Sequence, residues 1–593
     1  MDTPTVCREA LYLGSPNRQL LACFHTADAA VARDCVAVVC NPLGYEYIHS
    51  HRSIRHLADD LARAGVPALR FDYHGTGDSP GTDLDPDRVS QWVEDIEIAI
   101  TAARKFSGRT QVCLIGLRLG ATLAATVSAR TPIDYLALWS PCVSGRRYVR
   151  EMQALAQAAG QSNKPSAGTL EAAGFLMSEQ TQQELKEVRV LGQTAQVGRR
   201  ALILVRDDMH EEHHLGDHLR SLGIETDAAI FTGYADMMAE PQHTVVPRKA
   251  LNGIVGWLAR HVPAIESVSH PTLNPPIEMQ FDFAGIDGET RRLRETACRF
   301  GDGGYLFGIH CQPMSGECQR PTVVFFNSGV VHRVGPNRLY VELSRNLAAS
   351  GFATFRCDIE GIGDSVLRGP GRENHPYPDT ANRDAGVVLR YLIEHFGSVE
   401  FVLMGLCSGA YTSFNAGLVE DTMPISEIAL INPLTFDWKE GDSLDTRHFG
   451  NVAHYKGSMR RADSWMKLLR GQVNVAHLGG VVLSHLEKQL GSYANALTER
   501  WMPSAGPLLS RQLRRLFAQG RTVSMFVASG DPGWDMLVSK ARHTVHAALR
   551  HKDLAVQFIS GSDHTFSNQD GRMRLLFTVR DHLVRRYSTR PPH

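Results

Sequence analysis

FVLMGLCSGA, residues 401–410, is a short apolar run that breaks at a glycine-flanked pentapeptide and continues as the helical pattern YTSFNAGLVE. A strand that turns sharply into a helix is the unit from which parallel sheets with crossover helices are built. The same figure occurs earlier as QVCLIGLRLGA, residues 111–121. Working outward, PALRFDYHGTGDS begins at 67 and ATFRCDIEGIGDS at 353, 286 residues apart, and both run from a strand into D-x-x-G-x-G-D-S. Each is preceded by a helical stretch, SIRHLADDLARAG (53–65) or RLYVELSRNLAASG (338–351). Before those come the β-rich runs VAVVCNPLG (36–44) and TVVFFNSGV (322–330). AAIFTGYADMM (228–238) is answered by VQFISGSDHTF (556–566). Five elements in one order at nearly constant spacing read as a tandem duplication. Within each copy, Val/Ile/Leu/Phe runs ending in glycine-rich turns alternate with amphipathic stretches. This predicts the α/β class: two mainly parallel sheets flanked by helices.

The expected organisation is a first domain over 1–262, a proline-rich linker over 263–278 and a second domain over 279–593. The copies differ in length. From 118 to 236 the first spends 118 residues, and from 407 to 564 the second spends 157, which is 39 more. The excess falls at about 437–519 and is expected to be a larger helical cap over a pocket.

Composition narrows the classes of function. With 62 basic and 63 acidic residues, a net charge of -1 and 43% hydrophobic residues, the chain has no global electrostatic footprint for nucleic acid or anionic membrane. No apolar run approaches the roughly 20 residues that span a bilayer. No secretory leader pattern is seen at the start. Eleven cysteines without a C-x-x-C pair argue against a disulfide framework, so a cytoplasmic location is expected.

The pentapeptide Gly405-Leu406-Cys407-Ser408-Gly409 has the form of a nucleophile elbow with cysteine at its apex. Glycines two before and two after let the backbones pass at a strained turn. The helix that follows directs its N-terminus at the thiol, favouring both thiolate and oxyanion. The backbone N–H of Ser408 falls where an oxyanion forms, and Val330 is the expected second donor. Ser408 is the rival nucleophile, but it sits one position past the apex. Chain order supplies the partners: Asp531 after the strand TVSMFVAS and His564 after AVQFIS complete a Cys-Asp-His order, each at a carboxyl strand end. Asp535 is the alternative orienting acid.

The segments FFNSGVVHRVGPNR, FRCDIEGIGDS, GLCSGA and GSDHTFS make the second copy resemble the exosortase A system-associated hydrolase 1 group. CNPLGYEYIHSHR and FDYHGTGDS make the first similar to the same broad superfamily, so the chain looks like two fused α/β-hydrolase-fold domains. The resemblance implies that fold, a cysteine at the elbow and a catalytic histidine, Cys407 and His564, and little about substrate.

In the first copy the elbow reads Gly116-Leu117-Arg118-Leu119-Gly120, and Asp236 stands where the histidine belongs. An arginine stays protonated and cannot attack a carbonyl. This copy is expected to be a degenerate, non-catalytic domain. Arg118 is expected either to pair with Asp236, with Asp208 as a further carboxylate, or to lie exposed at a leftover turn.

His210-Glu211-Glu212-His213-His214 formally matches a zinc helix, but it lacks a third ligand and sits at the acid loop of the degenerate copy, so no metal is expected. The G-T-G-D-S and G-I-G-D-S turns lack a phosphate-loop lysine and read as structural. Arg333, Arg460 and Arg461 read as solvated surface near the predicted mouth.

The expected activity is a cysteine-dependent acyl hydrolase or acyltransferase that needs no cofactor. It would act on an ester or a thioester carried by CoA or an acyl carrier protein, since an acyl-cysteine is itself a thioester. The alternatives are an ester or lactone hydrolase and, from another class, a non-catalytic tandem scaffold.

Overall fold

A computed structural model describes residues 6–16, 18–158, 168–190, 198, 200–207, 213–266, 276–314, 320–439 and 507–588. Most of the expected cap (440–506), most of the expected linker (267–275), Asp208, the His210–Glu212 part of the zinc-like motif, and Arg460 and Arg461 lie outside them. Packing divides the chain into two compact units. The first holds residues 1–316, 330–349 and 361–374; the second holds 317–329, 350–360 and 375–593.

The first unit carries β1 (Arg8–Ser15), β2 (Arg18–His25), β3 (Cys35–Cys40), β4 (Ala68–Phe71), β5 (Gln111–Leu117), β6 (Tyr135–Trp139), the small hairpin β7 (Leu170–Ala172) and β8 (Phe175–Met177), β9 (Arg200–Arg206) and β10 (Glu225–Phe231). Eight of these form one sheet in the order β1-β2-β4-β3-β5-β6-β9-β10, antiparallel at β1 and β2 and parallel from β4 onward. The continuous run CVAVVC of β3 is buried at every position because both faces are covered. Its alternate residues enter two cores. Val36, Val38 and Cys40 meet Trp92 and Ile96 of α2 (Arg88–Ser107) and Leu123 of α3 (Leu119–Ser128). Cys35, Ala37 and Val39 meet Leu57 and Leu61 of α1 (Tyr45–Arg63) and Ile254 and Trp257 of the helix Arg248–His261.

This unit also takes in β11 (Glu278–Ala284), β12 (Thr290–Phe300) and β13 (Leu306–Pro313), an antiparallel meander. Their apolar face covers Tyr12 and Leu21 with Met279, Ala297, Phe307 and Ile309, and the Tyr12 amide donates to the Pro276 carbonyl at 2.8 Å. Within this unit the closing aspartates of the two D-x-x-G-x-G-D-S turns share one arginine. Arg333 lies between their equivalent aspartates, 2.9 Å from Asp78 and 2.9 Å from Asp364, while Arg70 reaches Asp364 at 2.6 Å. Arg333 is therefore a buried ion-pair residue rather than a solvated one. The turns are structural, and each ends in a charge that the fold uses.

The second unit carries β14 (Thr322–Phe325), β15 (Thr354–Asp358), β16 (Phe401–Leu406), β17 (Ile425–Ile431), β18 (Thr522–Ala528) and β19 (Leu554–Ile559). In the nine-stranded order β11-β12-β13-β15-β14-β16-β17-β18-β19 these six run parallel, and their order repeats that of β4-β3-β5-β6-β9-β10. Both sheets are thus of the α/β-hydrolase type. The helix Leu508–Ala518, at the far end of the expected cap, leads directly into β18.

Candidate active site

The elbow at β16 has the strain its spacing predicts. Cys407 sits at φ 59 and ψ -114 between β16 and the helix Ser408–Val419, a conformation costly for any residue with a β-carbon. The passage of the chain requires the flanking glycines: a β-carbon on Gly405 would lie 2.2 Å from the Gly409 carbonyl carbon. The Cys407 amide donates to the Ile431 carbonyl at 3.0 Å, which ties the apex to the neighbouring strand. Cys407 is partly exposed, whereas most of the described cysteines are buried.

Ser408 begins the helix, so its backbone N–H has no acceptor within the helix. Its side chain is not available as a nucleophile. The hydroxyl is buried, accepts from the Gly329 amide at 2.8 Å and faces the Asn327 carbonyl at 3.3 Å. Ser408 thereby holds the loop after β14 against the elbow. The Gly329 N–H is engaged by that bond, and Val330, the other expected donor, packs as part of the first unit.

His564 and Asp531 are brought together. Nδ1 of His564 lies 2.6 Å from Oδ2 of Asp531, and the second carboxylate oxygen, Oδ1, accepts from the Gly533 amide at 3.1 Å. Asp531 is almost fully buried, while Asp535, the alternative acid, is exposed two residues into the next helix. The Nε2 of His564 is buried without a well-formed hydrogen bond, and its charge state is coupled to the Cys407 thiol. Burial disfavours the imidazolium, but Asp531 and Cys407 together outweigh it and push the His564 pKa up to about 10.

Two further residues shape the site without a signal that sequence reading caught. Asn432, buried at φ 41 just past β17, donates from Nδ2 to the His564 carbonyl at 2.7 Å and accepts from the Ala528 amide at 2.8 Å. It fastens the histidine loop to the strand that carries the acid. Its position immediately after a strand, followed by Pro433, was the available clue. Tyr377 stacks on Trp438 with ring centres 4.3 Å apart and meets Tyr411 edge-on at 5.2 Å. Burial, and then the neighbouring Cys407, push its hydroxyl pKa strongly upward.

The first unit's elbow has the same backbone and different chemistry. Arg118 adopts φ 53 and ψ -121, and its amide donates to the Trp139 carbonyl at 2.9 Å. The guanidinium is buried, not exposed. It pairs with Glu46 through Nε at 2.7 Å and with Glu151 through a second short contact. Asp236, the carboxylate expected to pair with it, is exposed on a short helical turn. Glu46 stands instead at the start of α1, directly beneath the elbow, and also accepts from the Tyr234 hydroxyl at 2.5 Å. Burial opposes the charge of Arg118, but Cys142, Glu46, Tyr234 and Glu151 hold its pKa above the usual range.

Residues 47–206 match the family model described as serine aminopeptidase, S33, so the match falls on the copy whose elbow holds arginine. No curated protein matches the chain. Similar solved structures include Est1E from Butyrivibrio proteoclasticus with ferulic acid bound, at 16% identity over 42% of this chain and 97% of that one, TM-score 0.34. An α/β serine hydrolase without lid from Xanthomonas campestris has 16% identity over 44% and 98%, TM-score 0.29. The Pyrococcus furiosus esterase Pf2001 has 12% identity over 43% and 91%, TM-score 0.31. No helix of the described residues is long and apolar enough to cross a membrane.

Proposed function

We propose that the chain is a cysteine-dependent acyl hydrolase or acyltransferase acting on an ester or thioester, with Cys407 as nucleophile, His564 as base and Asp531 as its orienting acid. The reading rests on one observation above the others. A histidine fixed by a 2.6 Å bond to a buried carboxylate interacts, by hydrogen bonding and by charge, with a thiol at a strained strand-to-helix apex.

In the first step the Cys407 sulfur forms a bond to the acyl carbon while the bond to the leaving thiol or alcohol breaks. The proton held by His564 passes to that leaving group. Water, an alcohol or an amine then gives its proton to His564, attacks the acyl-cysteine and releases the thiolate. The Ser408 N–H at the helix start faces the charge that develops on the acyl oxygen. An acyl-cysteine lies close in energy to the thioester from which it forms, which favours acyl-CoA or carrier-bound acyl groups, and an acyl carrier protein as partner, over stable amides. The equivalent strand order and elbow backbone support descent of the two units from one duplicated hydrolase domain. The second copy's likeness to the exosortase A system-associated hydrolase 1 group is part of this proposal, as is a non-catalytic role for the first.

Intact-mass measurement after exposure to acyl-CoA and acyl-carrier thioesters tests the reading. An added acyl mass that maps to Cys407 and disappears in Cys407→Ala supports it. An adduct persisting in Cys407→Ala, or no adduct and no turnover with esters or thioesters, rejects it in favour of the scaffold reading.

A further inference from the structure

The first unit holds a cavity of about 60 Å³ beside its arginine elbow, and the proposed reaction assigns it no use. It lies between the loop after β4, α2, the helix Gly145–Ala158 and the β7–β8 hairpin. Its wall is mostly apolar, built from Leu43, Tyr148, Met152, Phe175 and Met177. The exceptions decide its chemistry. Three charged side chains line it: Asp83, Arg88 and Arg338. Among the described residues neither arginine is in direct ion-pair contact with a carboxylate, and Asp83 acts on both as a counter-charge. Arg88, 2% exposed, makes a single hydrogen bond, to the His74 carbonyl at 2.7 Å, and lies 4.9 Å from the centre of the Trp92 ring. Arg338, also buried, spends its guanidinium on the backbone carbonyls of Gly77, Gly81 and Ser79. Asp83 accepts from the Leu176 amide at 3.0 Å. The lining therefore carries one more positive charge than negative. Trp92, 4% exposed, also lines the cavity, and its indole N–H has no hydrogen-bond partner.

A buried guanidinium with no carboxylate in direct contact and a buried N–H without an acceptor each carry a desolvation penalty. One ligand relieves both: a carboxylate that accepts from Arg88 and Trp92, with an apolar body for the rest of the wall. At roughly 10–15 Å³ for each water-sized occupant, 60 Å³ holds about four to six such groups, which is the size of a short acid. We propose that the first unit binds a short aliphatic monocarboxylate of about three to four carbons, its carboxylate on Arg88 and its chain against Met152 and Phe175. The site uses no residue of the Cys407 centre, so it stands or falls separately from the catalytic reading.

Butyrate is the probe, titrated into the full chain at constant ionic strength and followed by calorimetry and by tryptophan fluorescence, with butyramide as its uncharged counterpart. Saturable butyrate binding is expected, weakened about 10- to 100-fold in Arg88→Met and by a similar factor for butyramide, as loss of a charge-assisted bond dictates. The fluorescence response is expected to vanish in Trp92→Phe. Met152→Trp, which fills the cavity and leaves its charges in place, is expected to abolish binding, and it decides the matter should Arg88→Met fail to fold. Equal binding of butyrate and butyramide, unchanged affinity in Arg88→Met or Met152→Trp, or no saturable binding to wild type would overturn the proposal.

Discussion

Cys407 and Arg118 occupy the same point of the same turn and have opposite surroundings. Both apices have positive φ and ψ near -120, and both donate their amides to the end of the adjacent strand. The next strand in each unit also ends in a positive-φ residue, Asn432 or Ser140, whose amide bonds one strand further on. At Cys407 the neighbours are a histidine and a tyrosine that both interact with the thiol; at Arg118 they are two glutamates and a tyrosine. The sheet specifies a place where a side chain is thrust out of a strained turn. What that side chain does is set by two or three residues brought in from elsewhere, so the fold alone does not distinguish a nucleophile from a structural ion pair.

The sharpest way to break this comparison is to truncate each apex in turn. Cys407→Ala is expected to lower turnover about 10⁴- to 10⁶-fold, and Asp531→Asn about 10⁴-fold through the wrong histidine tautomer, while Asp535→Asn stays within about twofold. Steady-state rates on a p-nitrophenyl ester or a thioester check all three. Equal losses in Asp531→Asn and Asp535→Asn would remove Asp531 from its role. Arg118→Met is expected to leave turnover per folded molecule unchanged.

Its cost appears in stability. Arg118→Met strands Glu46, a fully buried carboxylate, and is expected to destabilise the first unit by about 3–5 kcal/mol, read by denaturant unfolding. Adding Glu46→Gln removes the stranded charge and is expected to restore part of the loss. If the double variant is no more stable than the single one, the ion pair is not what the apex supports.

These contrasts also show what the sequence made legible. The glycines around both apices were readable because a steric demand recurs at fixed spacing. The pairing of Asp531 with His564 was readable because chain order places both just after successive strands. The partners of Arg118 were not: Glu46 opens α1, where an acidic residue reads as a favourable helix start, and Glu151 lies on another helix. Asp236 has the right alignment but an exposed side chain. The expected linker falls between the strands of the two sheets, after β10 and before β11. Asn432 escaped notice because a polar residue after a strand looks like ordinary turn chemistry.

A smaller contrast lies in pH dependence, for which the first elbow has no counterpart. His564 has its folded-state pKa raised from 6.5 to about 10, so the native state holds the proton more tightly than the unfolded chain. The stabilisation from this site is fully present below about pH 6.5 and is lost as pH rises through about 10. The difference in Tm between wild type and His564→Gln is therefore expected to shrink steadily from pH 7 to 10.5. A difference that grows over that interval would mean that the imidazole is neutral in the native state.

The smallest expected effect separates the two apices by backbone strain alone. Cys407 holds a φ of 59 with a β-carbon, and glycine adopts that conformation without the steric penalty. Cys407→Gly is therefore expected to raise stability by about 1 kcal/mol relative to Cys407→Ala while remaining inactive, because the strain of the turn is relieved and no ion pair is lost. Arg118→Gly relieves the same strain at φ 53, yet is expected to lower stability, because the loss of counter-charge at Glu46 exceeds the relief. Cys407→Gly more stable than Cys407→Ala, together with Arg118→Gly less stable than wild type, both read by urea unfolding, would support strain held for chemistry at the second apex and offset by electrostatics at the first. Equal signs would mean that the two turns differ less than their side chains suggest.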